Sequence, residues 1–205
     1  MRTKSCLFAF VFLLSAFSSF AQREETVLGE RGWGLSGIWG GYSHQYTNFN
    51  STDGFNRGGF FGFEFGKSLF IGWSHYSLRD DIVLDQTDNQ RFDFRFNGGK
   101  IGYSFVPYKA LHPMLNVELG RGRAKLSGEG NDDMFIIQPS AGVEINVFRW
   151  FRIGLEGGYR FARNVDYVGL SNQDLSGAFA QATLKLGFSW GRYHKRPDYK
   201  KNYEE

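Results

Sequence analysis

The stretch from Ala141 to Phe161, AGVEINVFRWFRIGLEGGYRF, alternates with a period of two. Ala141, Val143, Ile145 and Val147 share one parity, and Gly142, Glu144 and Asn146 take the other. Beyond Trp150, Ile153, Leu155, Gly157, Tyr159 and Phe161 alternate against Gly154, Glu156, Gly158 and Arg160. Successive side chains of a strand point to opposite faces, so the pattern predicts two strands, each with an apolar and a polar face. A hairpin symmetric about Trp150 would set Glu144 opposite Glu156, where like charges repel unless water or cations attend them. The fold must therefore give one face of this sheet to an apolar medium and the other to a polar, cation-bearing one.

The same device recurs along the chain. Strands are expected over 32–43, 58–67, 69–77, 91–105, 114–125, the two arms of the opening hairpin, and 178–190. In 58–67, Phe61, Phe63 and Phe65 alternate with Gly62, Glu64 and Gly66; in 178–190, Ala180, Ala182, Leu184, Leu186 and Phe188 alternate with Gln181, Thr183, Lys185 and Gly187. In 91–105 the apolar parity passes from Phe92, Phe94 and Phe96 to Ile101, Tyr103 and Phe105, and the Gly98-Gly99 pair at the change predicts a β-bulge. Polar stretches 44–57, 78–90, 127–133 and 163–177 read as long or polar loops, while Lys67-Ser68 and the turn at Trp150 are short and the connector 106–113 holds two prolines. Eight strands of roughly ten residues, with long and short connections alternating, describe an all-β, eight-stranded antiparallel up-and-down transmembrane β-barrel with a polar lumen. The inward parity of the first strand is left open.

Alternation alone also fits a soluble, lipocalin-like carrier with the Phe and Leu parity turned inward. Three features favour the membrane form. The polar parity is dominated by glycine with about one charge per strand, as a narrow bore requires and a solvated face does not. Glu64, Lys100, Glu118, Glu144, Glu156 and Lys185 gather at similar depth near the short-turn end, with Arg95 and Arg160 further up, and the eight are expected to form an ion network in the lumen. Aromatics such as Tyr103, Phe105, Trp150, Phe188 and Trp190 at one end, with Tyr42, Phe92, Tyr159 and Phe161 at the other, have the distribution of interfacial girdles.

The termini add a destination. Residues 1–21 carry Arg2 and Lys4, an apolar run from Leu7 to Leu14, and Ser19-Phe20-Ala21, the layout of a secretory signal peptide. The lone Cys6 lies inside it, so the exported chain is expected to have no disulfide, thiol nucleophile or cysteine-bound metal. A lead-in over 22–31, a barrel over 32–190 and a basic periplasmic tail over 191–205 complete the expected division. Removing Arg2 and Lys4 from a formal charge of +3 leaves no field to favour nucleic acid. No cofactor motif is present. The acidic groups Asp80, Asp81, Asp85 and Asp88, and Glu129, Asp132 and Asp133, lack EF-hand spacing and read as solvated loops rather than metal sites.

The segment GLSNQDLSG (169–177) followed by LKLGFSW (184–190) resembles the last loop and closing strand of the small eight-stranded outer-membrane β-barrel proteins of Gram-negative bacteria. LKLGFSW also resembles a barrel-assembly signal, although here it does not end the chain. The resemblance implies contact with outer-membrane lipid, insertion by the barrel-assembly machinery, and a non-enzymatic role in envelope integrity or in binding extracellular ligands through loops 44–57, 78–90 and 163–177. The pair His75 and Ser77 is similar to the base and the nucleophile, respectively, of the lipid A deacylases, but Leu78 stands where that family has Asn. A deacylase-like hydrolase, a small pore and a soluble carrier are the alternatives.

Overall fold

The computed structural model describes residues 34–49, 52–79, 82–83, 91–126, 131–165 and 171–190. The segments 1–21, 22–31 and 191–205, with the signal peptide, lead-in and tail assigned to them, lie outside the described residues, as do Asp80, Asp81, Asp85, Asp88 and Glu129. The strands are β1 (Leu35–Phe49), β2 (Thr52–Phe65), β3 (Leu69–Leu78), β4 (Ile82–Val83), β5 (Arg91–Ser104), β6 (Leu111–Leu126), β7 (Asn131–Phe148), β8 (Phe151–Arg163) and β9 (Gly177–Ser189). Eight of them run antiparallel in the order β3-β2-β1-β9-β8-β7-β6-β5, and β3 pairs with β5 to close the barrel. The two-residue β4 pairs only with the outer end of β5. Closure leaves no unpaired edge among the eight, the condition for a sheet to cross a bilayer.

The faces are inverted relative to a soluble barrel. Trp73 and Leu155 point outward, 59% and 50% exposed, whereas Glu64 and Glu144 point inward, 4% and 2% exposed. The first strand obeys the same rule: Trp39, Ser43, Gln45, Thr47 and Phe49 face in, and Ile38, Tyr42 and Tyr46 face out. Three tight connections, Gly66–Ser68, Phe105–Ala110 and Arg149–Trp150, lie at the end where β1 begins and β9 finishes. That is the turn end; the other is the outer rim.

Several sequence expectations require correction. Residues 44–57 are not a long loop: β1 and β2 stay paired up to Phe49 and Thr52, with only two residues between them. Above the bilayer the outward face meets water while Gln45, Thr47 and Asn56 point into the bore beneath Phe49, so hydrophobic alternation fades although the strands continue. Likewise β7 begins at Asn131, within the stretch read as a loop. The hairpin is centred one residue earlier than expected, with a register shift between Asn146 and Phe148, so Glu144 faces Gly154 and Glu156 faces Gly142. Each long carboxylate thus sits beside a glycine rather than against its like.

The Gly98-Gly99 pair is not a bulge, since β5 holds one register with β3 and β6 throughout. Phe92, Phe94 and Phe96 face the lumen together with Gly98 and Lys100. What changes at Gly98 is the content of the bore, not the direction of the strand. A Cβ on Gly98 would lie 2.6 Å from the Phe96 ring and 2.8 Å from Gly120 Cα. The Gly98–Gly120 contact therefore lets two backbones and an aromatic ring share one level. Gly98→Val should lower stability in urea titrations of the micelle-folded barrel by ~1–3 kcal/mol. Gly99→Ala, whose new methyl would meet nothing closer than 4.0 Å, should stay within ~0.5 kcal/mol.

Candidate functional site: the filled lumen and the outer rim

Two layers of buried charge fill the turn-end half of the bore. In the first, Glu144 accepts from Arg152 at 2.9 Å and Lys185 at 3.1 Å, and its Oε1 also lies 3.2 Å from His112 Nε2. Arg152 spans to Glu64 at 3.3 Å, and Glu64 takes further hydrogen bonds from Ser36 at 3.2 Å and from Ser189. The Arg152 guanidinium lies 3.9 Å over the Trp39 ring, which closes this layer from one side. In the second, Lys100 pairs with Glu118 at 3.0 Å and reaches Glu156 at 3.9 Å. Tyr76 donates to Glu118 at 2.9 Å, while Ser140, Asn116 and Gln181 donate to Glu156 at 2.6, 2.8 and 3.0 Å. Every carboxylate thus has a cation and hydroxyl, amide or imidazole partners, as buried charge requires.

An amide belt follows. Gln45 donates to Gln181 at 3.3 Å and accepts from Asn56 at 2.9 Å. Above it the bore turns apolar, filled by Phe49, Phe92, Phe94, Phe96, Met134, Ile136 and, from the turn before β9, Leu175. Arg160 lies within this plug. Its guanidinium stacks 4.0 Å from the Phe49 ring and donates to the carbonyls of Leu175 at 2.7 Å and Asn48 at 3.1 Å. The free space between the charge layers, lined by Lys100, Asn116, Glu144, Glu156 and Lys185 among others, is ≈ 30 Å³, room for a water or two. At the turn end a separate hollow of ≈ 710 Å³ is lined by Arg152 and Lys67 among others.

Of the residues expected in one lumen network, Glu64, Lys100, Glu118, Glu144, Glu156 and Lys185 are in the two layers. Arg160 is inside but higher, with no carboxylate partner among the described residues. Arg95 is outside: it projects from β5, 62% exposed, and pairs with Asp93 at 3.2 Å. Its assignment to the lumen followed from placing Phe94 and Phe96 on the lipid side, and the strand has the opposite orientation. Arg152 and His112 were missed, although Arg152 shares the parity of Gly154 and Glu156 and was readable as inward. Phe92, assigned to the outer girdle, and Phe49 and Leu175, assigned to loops, are buried in the plug.

On the outer rim His75 Nδ1 lies 2.8 Å from Asn97 Oδ1. Ser77 is level with Arg57 and Arg95 on the neighbouring strands. His75 has no carboxylate partner among the described residues, and Asp85 and Asp88 lie outside them. Beside this pair, Arg121 and Arg123 both hold Asp133, at 2.6 and 2.9 Å. The Arg123 hydrogen bond, with Arg121 adding to it, holds the Asp133 carboxyl below the usual range.

The fold has solved counterparts. Neisserial surface protein A matches with a TM-score of 0.59 at 14% identity, over 74% of this chain and 96% of that one. The N-terminal β-barrel domain of Pseudomonas aeruginosa OprF matches at 0.50 and 12%, over 76% and 99%. The attachment invasion locus protein of Yersinia pestis matches at 0.47 and 18%, over 76% and 99%. No protein-family model matches the sequence, and neither does any curated protein. The chain has the fold of the small eight-stranded outer-membrane β-barrels, and its apolar exterior and charged interior are those of a barrel that lives in that membrane.

Two measurements test the site. Lys100→Met should cost ~3–5 kcal/mol in urea titrations because it strands Glu118 in the bore, and adding Glu118→Gln should recover part of the loss. A ¹³C carboxyl titration of Asp133 should give a midpoint below the ordinary ~3.9 that rises in Arg123→Gln. Because the carboxyl is depressed, the Arg123 contact is present above the ordinary carboxylate range and is lost as pH falls through the lowered midpoint.

Proposed function

We propose that this is a non-enzymatic outer-membrane barrel whose bore carries no bulk flow, so that its work is done on the exterior, at the rim and loops. One observation supports the reading: inward side chains occupy successive levels of the bore, from Arg152 and Glu64 through Lys100 and Glu156 to Phe94 and Leu175, with space for only a water or two between the charge layers. Eight strands leave an interior just wide enough for side chains, and here both of its halves are occupied. The non-enzymatic reading is also supported at the rim, where among the described residues no hydrogen bond joins His75 to Ser77, the contact an activated serine would need; His75 Nδ1 instead lies 2.8 Å from Asn97 Oδ1. Loops 78–90 and 163–177 would make external contacts together with Tyr46 and Phe55, whose exposed rings lie 5.1 Å apart on the rim.

In planar bilayers the inserted wild-type barrel should give no resolved conductance steps. Glu144→Gln with Lys185→Met should stay silent, since the neutral side chains still fill the bore. Trp39→Ala and Arg152→Ala combined with Phe49→Ala and Arg160→Ala should conduct. Regular steps from the wild type would overturn the closed-bore reading. Ser77→Ala should leave the mass spectrum of lipid A unchanged; a shift there would restore the hydrolase.

A further inference from the structure

The outward face of β2, β3, β5, β6 and β7 changes character along one line. On the turn side it is apolar, with Phe61, Ile71, Trp73, Ile101, Val117 and Leu119 all exposed. The next row outward is His75, Asn97 and Arg121, paired strand to strand. The row after that is Arg57, Ser77, Arg95, Arg123 and Asp133, again in register across five strands. Lys125 and Asp93 stand opposite each other in a third. Rows lie roughly 7 Å apart along a strand, and strands about 4.8 Å apart, so the cations stand over the lipid boundary at headgroup height.

We propose that this face is a binding site for the phosphate groups of a phosphorylated outer-leaflet glycolipid, held chiefly by Arg95, Arg121 and Arg123 with Arg57 at its edge. The described outward residues of these rows hold five cations, Arg57, Arg95, Arg121, Arg123 and Lys125, against the two carboxylates Asp93 and Asp133. Those carboxylates fix the guanidiniums without exhausting them. Each guanidinium has five N–H donors, and the contact to Asp93 or Asp133 engages one nitrogen of each. The arginine side chains remain 51% to 68% exposed. They border a hollow of ≈ 350 Å³ shared with His75, Asn97 and the Asp133 carboxylate that two of them hold. Guanidinium is suited to such a ligand because its planar fork binds phosphate oxygens in pairs.

The rest of the rim differs. Around the same circumference β9 and β1 present Ala178, Ala180, His44 and Tyr46, and β8 adds the single cation Arg163 beyond Phe135, so the cations are densest on β5 and β6 rather than spread in a uniform belt. The apolar surface directly below supplies the reason for a lipid-borne phosphate over a free one. A phosphate anchored by acyl chains against Trp73, Ile101 and Leu119 is delivered to this height, whereas exposed charges attract a free ion only within a screening length of about 8 Å in physiological salt. The site requires only that the turn end faces the periplasm, and it stands whether or not the bore conducts.

The test uses the full exported chain in phosphatidylcholine nanodiscs, with unboiled gel mobility confirming the fold of each variant. Native mass spectrometry counts bound lipid A, dephosphorylated lipid A, and lipid A in the presence of excess free pyrophosphate. Wild type should retain lipid A, Arg121→Gln/Arg123→Gln should bind it about tenfold or more weakly, and the charge-matched Lys109→Gln/Arg149→Gln at the turn end should match wild type within about twofold. Dephosphorylated lipid A should bind at least as weakly as lipid A does to the arginine variant. Equal retention of the dephosphorylated lipid, or equal loss in the turn-end control, would overturn the site. Full displacement by free pyrophosphate would overturn its assignment to a membrane-borne phosphate.

Discussion

A charge inside a bilayer-spanning barrel has nowhere to go but the bore, and in an eight-stranded barrel the bore is too narrow to hydrate it freely. Each inward carboxylate must therefore find its cation among the side chains of other strands. Glu144 on β7 meets Arg152 on β8 and Lys185 on β9; Glu118 on β6 meets Lys100 on β5. Two of these pairs join hairpin neighbours, but Arg152 also reaches Glu64 on β2 and Lys100 reaches Glu156 on β8, so the complete arrangement is formed only when the sheet has closed. Hydrophobic burial in a protein core, which would select a fold in water, has less to act on here, since the outward Leu and Phe meet hydrocarbon rather than one another. A one-residue slip would turn Glu64 and Glu144 into lipid, and that cost fixes the register of every strand that carries a charge.

Filling the bore takes size matching as much as charge matching. Arg152 and Lys185 face each other across β8 and β9, a like-charged pair that is tolerable because Glu144 binds both. Lys185 also faces Gly41, and Lys100 faces Gly72, so long side chains cross the lumen over strands that offer no competing bulk. The outer half uses a different solution. Aromatic rings occupy the level of the Gly98–Gly120 contact and above, and Arg160 enters as a flat guanidinium between Phe49 and Phe94 rather than as half of an ion pair.

The sequence disclosed what depends on contrast between the two faces. Wherever lipid faces one side and charge the other, as in β8, β9 and the turn-end half of β2, strand, parity and inward residues were all readable. Legibility failed where contrast failed. Along His44–Arg57 both faces are polar, so a continuous hairpin looked like a loop. In Phe92–Phe96 the lumen-facing parity is itself apolar, and the pattern inverted without any change in the backbone. That single inversion produced both the expected bulge at Gly98 and the misplacement of Arg95, since Arg95 is outward only if Phe94 and Phe96 are inward. No local signal distinguishes an apolar plug from a lipid-facing stripe; the distinction lies in partners such as Phe49 and Met134, which come from other strands.

The same inversion separates the two halves of the molecule functionally. Between the turns and the rim the strands carry their charges inside and an apolar face outside, a surface that a fluid bilayer can cover. At the outer rim the arrangement is reversed, with Phe92, Phe94 and Phe96 inside and Asp93, Arg95 and Asn97 outside on the same strand. An apolar plug there frees the alternate positions of β5 to carry charge outward, where it meets Arg123, Arg121 and Lys125 of β6 in register. Moving the charges outward costs nothing in desolvation once the strand has left the hydrocarbon, while the plug stabilises the rim that presents them. The exposed arginines and the buried phenylalanines are thus one feature of the sequence seen from its two sides, and the exterior is where this barrel is chemically distinctive.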